Sequence, residues 1–239
     1  MISDLNMLQE IIESFPPTEL VPHAFFVARS GVLTLVFEGF SPTLLRIKDE
    51  IERRFIDIEP ENPGSLWPKA TLAALHDGQR HNLGSLQVLR DVCDNWNASI
   101  QASPYVLTVD ALSLVVFLCR SLEERLFTTT IPLRDTRPPE ARRPSSDHFR
   151  EVTEILAQFH RSRLDVYLAD VQRPGYHVSH YREAHTEATL VYDLPVQETA
   201  FLKGFREQVD RYLPGYYAWF SAESLHVTLR NLVRSGAWR

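Results

Sequence analysis

Thr189-Leu-Val-Tyr192 and His226-Val-Thr-Leu229 flank an amphipathic segment near the end of the chain, and the same order of elements occurs earlier. The earlier copy consists of Thr34-Leu-Val-Phe37, a helical segment and Lys69-Ala-Thr-Leu72. The first and last threonines are 37 residues apart in one copy and 39 in the other. Because a strand–helix–strand unit leaves one face of its sheet uncovered, two copies packed together would bury a common core. The sequence therefore predicts two related βαβ halves, and the alternative is a chance similarity of two amphipathic units.

Hydrophobic periodicity and turn residues predict the remaining elements. We expect helices at residues 4–14, 42–55, 83–96, 149–159 and 201–213. We expect strands at residues 32–37, 69–75, 105–109, 112–119, 127–133, 164–171, 189–192 and 226–232. Residues 134–146 contain four arginines and three prolines without an apolar period, which is typical of a linker. The predicted organisation is a single bilobal domain over residues 1–239, with lobes at 1–133 and 147–239 joined by this linker.

The composition is that of an ordinary globular protein, with 44% apolar residues, 23% charged residues and a net charge of −6. No apolar run approaches the roughly 20 residues of a membrane helix, and the first residues do not resemble a signal peptide. Acidic residues prevail in residues 1–135, so the basic surface that long double-stranded nucleic acids require is missing. Cys93 and Cys119 lie in apolar stretches, which predicts reduced core thiols in a cytoplasmic protein that does not bind membranes.

The closing strand carries His226, Thr228 and Arg230 at alternate positions, so the three side chains are predicted to share one face. An imidazole transfers protons near neutral pH, while a hydroxyl and a guanidinium stabilise the non-bridging oxygens of a phosphate. His-x-Thr is a weak signal alone, but Lys69 and Thr71 occupy the matching positions of the first copy. The pattern predicts a phosphate-ester site between the halves.

Ala188–Pro195 and Glu223–Leu229 resemble the first half of the 2H phosphoesterase superfamily, which includes 2′–5′ RNA ligase-like proteins and 2′,3′-cyclic phosphodiesterases. Pro68–Leu75 resembles the motif of the second half, with Lys69 in the place of a histidine. The halves stand in reversed order, which indicates a circular permutation. The resemblance implies an α+β fold in which two pseudo-symmetric βαβ lobes, with sheets rich in antiparallel pairs, surround a central cleft.

The resemblance also implies a phosphodiesterase that needs no metal or other cofactor and acts on the cyclic phosphate of a nucleotide or RNA end. Lysine has a pKa near 10.4 in water, whereas that of histidine is about 6.5. We therefore assign the general base to His226 and the acid or electrostatic role to Lys69. Thr71, Thr228 and Arg230 are expected to bind the phosphate. The alternative for Lys69 is a surface lysine at the end of a strand.

Other residues are weaker candidates. Trp67 and Tyr217 precede the motifs and are candidates for stacking on a base, with core packing as the alternative. The segment His177–His180 contains a second His-x-Ser pattern. His76 and His81 are expected in a polar loop after the Lys69 strand, where they are candidates for a substitute imidazole, with solvated loop histidines as the alternative. Two other classes of function remain open: a catalytically impaired 2H-like module that binds a nucleotide, an RNA end or a protein, and a scaffold whose repeat is only architectural.

Overall fold

The computed structural model describes residues 2–61, 63–137, 143–172, 177–196 and 200–233, which contain seven α-helices and ten strands. The helices are α1 (Ile2–Glu13), α2 (Pro42–Arg54), α3 (Leu83–Ala102), α4 (Ser146–Leu156), α5 (Leu164–Val171), α6 (Val178–Arg182) and α7 (Ala200–Tyr212). The strands are β1 (Thr18–Leu20), β2 (Pro22–Val27), β3 (Leu33–Phe37), β4 (Lys69–Leu75), β5 (Leu107–Val109), β6 (Ala111–Phe117), β7 (Arg125–Pro132), β8 (Glu187–Asp193), β9 (Tyr217–Trp219) and β10 (His226–Asn231).

The strands form two four-stranded sheets and one two-stranded sheet, and all their pairs are antiparallel. The first large sheet has the order β2-β3-β4-β9, and the second has the order β10-β8-β6-β7. In each large sheet a helix lies between two paired strands in sequence: α2 between β3 and β4, and α7 between β8 and β10. The expected α+β class with antiparallel sheets is confirmed.

The two sheets do not follow the boundary that was predicted at residues 134–146. Strands β6 and β7 precede this segment but share a sheet with β8 and β10, whereas β9 follows it and pairs with β4. Residues 138–142 lie outside the described residues, and on their C-terminal side Arg143 forms an ion pair with Glu38 at 2.7 Å. Residues 1–133 and 147–239 therefore contribute strands to both large sheets.

The strand register modifies the repeat that the sequence suggests. Lys69 pairs with Val36 in the first sheet, and His226 pairs with Asp193 in the second. If Lys69 and His226 are equivalent, Val36 corresponds to Asp193 and not to Val191. Relative to the motif strands, the two Thr-Leu-Val segments are thus offset by two residues. Because the side chains of a strand alternate with a period of 2, this offset leaves every side chain on its original face.

The strand predicted at residues 164–171 is wrong, because this segment is the helix α5. Leu164, Tyr167 and Val171 are buried, and their spacing places them on one face of a helix that packs against α3. The Tyr167 hydroxyl donates a hydrogen bond to the carbonyl oxygen of Val27 at 2.6 Å. A short apolar run is compatible with either a strand or a helix, and here the contact with α3 accompanies the helix.

Strands β1, β2 and β9 and helix α6 were not predicted from the sequence; β1, α6 and β9 have only three to five residues. Strand β2 begins with a proline and has four consecutive buried residues, Ala24–Val27, so it lacks the alternation that marks a half-buried strand. The N-cap of α2 is confirmed: the Ser41 hydroxyl accepts a hydrogen bond from the Leu44 amide at 3.3 Å.

Two further expectations from composition concern the cysteines and membrane-spanning helices. Cys93 and Cys119 are both buried and free of disulfide bonds, as predicted. Burial raises the pKa of the Cys93 thiol to about 12, so this side chain is an unreactive part of the core. Among the described residues, no helix has the length and apolar character to cross a membrane.

Helices α3 and α7 approach each other closely at Gly204. A Cβ atom at this position would lie 2.5 Å from Cη2 of Trp96 and 2.8 Å from its Cζ2. The indole N–H of Trp96 donates a hydrogen bond to Oε1 of Gln208 on α7, at 2.6 Å. The glycine therefore leaves the space that the Trp96 ring occupies between the two helices.

We expect Gly204→Ala to lower the free energy of unfolding by about 1–3 kcal/mol because the added methyl overlaps the ring. This loss outweighs the advantage of about 1 kcal/mol that alanine has over glycine in a helix. Urea denaturation followed by circular dichroism measures the change. The control is Gly78→Ala, since a Cβ there would meet nothing within 4 Å. An increase in stability for Gly204→Ala would contradict the prediction.

Candidate functional site

A cavity of about 270 Å³ lies where β4 of the first large sheet approaches β10 of the second. Lys69 and Thr71 line it from β4, and His226 and Thr228 line it from β10. The same four residues and Trp67 line an adjoining cavity of about 60 Å³. The structure thus brings together both pairs of motif residues that the sequence singled out, although they are more than 150 residues apart in the chain.

The two motif strands have the same burial pattern. Lys69, Thr71, His226 and Thr228 are half-buried, and the residues between and after them are fully buried: Ala70, Leu72, Val227 and Leu229. Alternate side chains of a strand point to opposite faces, so each strand has one face towards the cavity and one in the core. A charged or polar side chain on the first face is held at a defined position by the apolar side chains on the second.

His226 is oriented by a backbone contact. Its Nδ1 lies 2.6 Å from the carbonyl oxygen of Ser224, and because a carbonyl oxygen only accepts hydrogen bonds, Nδ1 carries the proton. In the neutral ring the lone pair is therefore on Nε2. Burial lowers the pKa of His226 below the ordinary 6.5; the Ser224 carbonyl opposes this change, and Arg125 adds to it. His226 is consequently a neutral base at physiological pH.

Asp193 lies beside His226 because the two residues are paired in the register of β8 and β10. Its Oδ1 accepts a hydrogen bond from Nη2 of Arg125 at 2.8 Å, and the same nitrogen lies 3.4 Å from the carbonyl oxygen of Glu223. The negative charge of Asp193 raises the pKa of His226, but less than the guanidinium of Arg125 lowers it. The ion pair therefore leaves the histidine in its neutral form.

Lys69 has an ammonium group that is easier to deprotonate than that of an ordinary lysine. Burial and, to a smaller extent, the positive charge of Lys48 together lower its pKa to about 8. Its Nζ lies 4.0 Å from the centre of the Trp67 ring, which stabilises the cation. Lys48 is fixed behind the site, donating to the Ser65 carbonyl at 2.8 Å and lying 2.5 Å from Glu61. With a pKa of about 8, roughly nine-tenths of Lys69 is protonated at neutral pH.

The prediction that Arg230 faces the site is wrong. The register of β10 shifts between Thr228 and Arg230, so that Arg230 pairs with Leu190. Its side chain is only 1% exposed, and Nη2 donates to the carbonyl oxygen of Glu59 at 2.7 Å. Asn231 lines the cavity in its place. A β-bulge adds one residue to a strand, and this reverses the alternation that the sequence analysis assumed.

The prediction for Tyr217 is also wrong, because this residue is buried on β9 away from both cavities. Its hydroxyl donates to the carbonyl oxygen of Gly31 at 3.0 Å and lies 2.8 Å from Nε2 of His81. His81 is buried as well, its Nδ1 lies 3.0 Å from the Ser85 hydroxyl, and burial lowers its pKa to about 4. These residues form a neutral network in the core. His81 lies in the loop after β4, as expected, but its side chain is buried and not solvated.

The remaining histidine candidates lie outside the described lining of the two cavities. His177 precedes the short helix α6, which includes His180. The carboxylate of Asp77 accepts a hydrogen bond from the Ser179 amide at 3.1 Å, which ties this helix to the segment after β4. The His-x-Ser pattern at residues 177–179 is therefore part of a helix start and not of a strand.

Several lining residues had no signal in the sequence. They come from the β6–β7 loop, α6, β8 and the bulged end of β10: Arg120, Tyr181, Glu187 and Asn231. None belongs to a periodic pattern that points to the cleft. They meet only because both large sheets combine strands from distant parts of the chain.

Comparison with known proteins finds no family model, no curated protein and no solved structure that matches this chain. The resemblance suggested by the motifs stays a prediction, and the function has to be inferred from the geometry of the site.

The contact with Ser224 predicts the tautomer of His226. Nitrogen-15 NMR at neutral pH should show a protonated Nδ1 and a lone pair on Nε2, because Nδ1 donates to the carbonyl oxygen. A pH titration should give a pKa below 6.5. The His226→Gln variant, which lacks this ring, assigns the signals. A neutral ring with the proton on Nε2 would contradict the prediction.

Proposed function

We propose that the protein is a metal-independent phosphodiesterase of the 2H type that acts on the cyclic phosphate of a nucleotide or RNA end. The observation that carries this proposal is the convergence of Lys69, Thr71, His226 and Thr228 on one cavity. The site combines a base, an acid and two hydroxyls around a space of small-molecule size. Such groups can support the hydrolysis of a phosphodiester by acid–base catalysis and by stabilisation of the developing charge.

The pairing of β3 with β4 and of β8 with β10 supports two pseudo-symmetric lobes around the cleft. Each pair is antiparallel, has a helix between its strands in the sequence, and ends in a motif strand with the same burial pattern. Under this proposal the lobe with the Lys69 motif comes first in the chain, which is the permuted order suggested by the sequence. The sheets also contain strands from the other part of the chain, since β6 and β7 belong to the sheet of β8 and β10, and β9 lies beside β4. This is compatible with pseudo-symmetric lobes, because β4 and β10 each pair with the corresponding strand, β3 or β8.

In the proposed reaction Nε2 of His226 removes a proton from water, and the water oxygen forms a bond to phosphorus. The bond between phosphorus and one ribose oxygen of the cyclic ester breaks. Nζ of Lys69 gives a proton to that oxygen, so the product is a nucleoside monophosphate with a free hydroxyl. The hydroxyls of Thr71 and Thr228 donate hydrogen bonds to the non-bridging oxygens, on which negative charge grows. The two side chains then return to their starting states by proton exchange with solvent.

The pKa values of the pair suit these roles. The lowered pKa of His226 keeps the base neutral, and the pKa of about 8 keeps Lys69 largely protonated yet acidic enough to release its proton. An unperturbed lysine, with a pKa near 10.4, would be a much weaker acid. Burial in the cleft therefore compensates for the presence of lysine where a histidine is expected.

The proposed ligand is a small nucleotide or an RNA terminus. A cavity of about 270 Å³ is near the lower limit of the roughly 300–1,000 Å³ that is usual for small-molecule sites. The acidic charge of the chain argues against long double-stranded nucleic acid as the partner. The two free, buried thiols support the cytoplasm as the proposed compartment.

We expect His226→Ala to lower kcat for a nucleoside 2′,3′-cyclic phosphate by about 10²–10⁴-fold, because the base is lost. Lys69→Met should cause a loss of similar order, and Lys69→His should restore part of it, since imidazole is also an acid. The control is Lys203→Met, which removes a lysine that is 80% exposed. Hydrolysis is measured by separating substrate and product by liquid chromatography.

Full activity of His226→Ala would remove this residue from the mechanism. Wild-type protein that hydrolyses none of the four common cyclic nucleotides, but is thermally stabilised by them, would favour the catalytically impaired binding module.

The pH profile of kcat/KM should be bell-shaped. Activity should rise as His226 loses its proton, with a midpoint below 6.5, and fall as Lys69 loses its proton, with a midpoint about 8. Lys69→His should move the falling limb to lower pH, because histidine has an ordinary pKa of about 6.5. A profile without a falling limb between neutral pH and pH 10 would exclude Lys69 as the acid.

A further inference from the structure

The loop between β6 and β7, residues 118–124, forms part of the cavity wall beyond the four motif residues. Leu122 in this loop has a φ of 56°, in the left-handed region that is unfavourable for residues other than glycine. Its side chain is only 2% exposed and packs with Val115, Phe117 and Val191. This packing holds the loop in a strained conformation against the sheet, and such strain is most often found at functional sites.

Glu123 fixes the same loop to two other elements. Its carboxylate accepts hydrogen bonds from Nε and Nη2 of Arg182 on α6, at 2.8 and 3.0 Å, and from the Ser221 amide at 3.2 Å. The Ser121 amide donates to the carbonyl oxygen of Tyr181 at 3.0 Å. The backbone that follows Arg120 is therefore well anchored.

Arg120 differs from the two neighbouring arginines. Arg125 and Arg182 form ion pairs with Asp193 and Glu123, at 2.8 Å in each case. Arg120 lines the cavity and forms no ion pair or hydrogen bond with any residue that the structure describes. A guanidinium has five donors in a fork that matches phosphate oxygens. An unpaired guanidinium on an anchored loop is thus prepared to bind an anion inside the cavity.

The cavity wall near Arg120 also contains aromatic and acidic side chains. The rings of Tyr181 and Phe220 lie 5.3 Å apart and both line the cavity, so they provide apolar surface for a base. The Glu187 carboxylate also lines the cavity, and it lies 2.5 Å from Nε2 of His185. Glu187 therefore lies next to an imidazole on its own side of the wall, whereas Arg120 has no acidic partner among the described residues.

We propose that Arg120 binds a second phosphate of the ligand, one nucleoside away from the phosphodiester that lies between Lys69 and His226. This inference rests on the proposed function and narrows the substrate class: the preferred ligand has a phosphate on the 5′-oxygen of the terminal nucleoside. That phosphate is either a free 5′-monophosphate or the link to a preceding nucleotide.

Isothermal titration calorimetry at constant ionic strength tests the proposal without requiring turnover. The probes are adenosine 3′-phosphate, adenosine 3′,5′-bisphosphate and the dinucleotide ApA with a 3′-phosphate. Wild type should bind the bisphosphate about 10-fold or more tightly than the monophosphate, as expected for a hydrogen-bonded charge pair. Arg120→Gln should bring this ratio close to one, and Arg120→Lys should keep part of it. The matched control is Arg211→Gln, which removes an exposed arginine that does not line the cavity.

The dinucleotide distinguishes the two sources of the second phosphate. An affinity equal to that of the bisphosphate indicates an RNA end, and an affinity equal to that of the monophosphate indicates a free 5′-phosphate. Thermal melting shows whether each variant is folded. If Arg120→Gln does not fold, Arg120→Lys still tests the role of the guanidinium.

Three results would overturn the inference: equal affinities of wild type for the mono- and bisphosphate, a preference that survives in Arg120→Gln, or no binding of any probe. Discrimination by Arg120 without hydrolysis of the cyclic esters would refute the proposed catalysis alone. Hydrolysis without discrimination would refute the role of Arg120 alone.

Discussion

The approach of β4 to β10 is the contact on which the site depends. Each strand belongs to a different sheet, and each has one polar face and one apolar face with a period of two residues. The apolar faces are part of the core, so the polar faces have to meet in the cleft. This single arrangement places Lys69 and Thr71 beside His226 and Thr228, and it partly shields all four from bulk water.

Partial burial then determines the chemistry of the cleft. Removal of water destabilises any charged side chain, so the pKa of His226 and the pKa of Lys69 are both lowered. The same physical effect has opposite consequences for the two groups. The histidine becomes a base that is free of its proton, and the lysine becomes an acid of moderate strength. A cleft with this property tolerates lysine at a position where an exposed lysine would be a very weak acid.

Periodicity predicted the parts of the structure that depend on local pattern. The motif strands, the N-cap at Ser41 and the convergence of the two motifs follow from alternation and from a repeated order of elements. The prediction failed for Arg230, where a bulge reverses the alternation, and for residues 164–171, where a short apolar run fits two structures. It failed for Tyr217 because hydrogen bonds to Gly31 and His81 direct the hydroxyl into the core. Each large sheet combines strands that precede and strands that follow residues 134–146, and this long-range pairing cannot be predicted from local sequence patterns.

The residues proposed to select the ligand are positioned differently from those proposed to react with it. Strand residues inherit their positions from a regular backbone, so sequence spacing is enough to locate them. Arg120 owes its position to the left-handed backbone of Leu122 and to the contacts of Glu123 with residues about 60 and 100 positions away. These constraints have no periodic signature. Under the proposed function, the sequence therefore indicates the class of reaction before it indicates the substrate, because the proposed reacting groups lie on strands and the proposed selecting group lies on a loop.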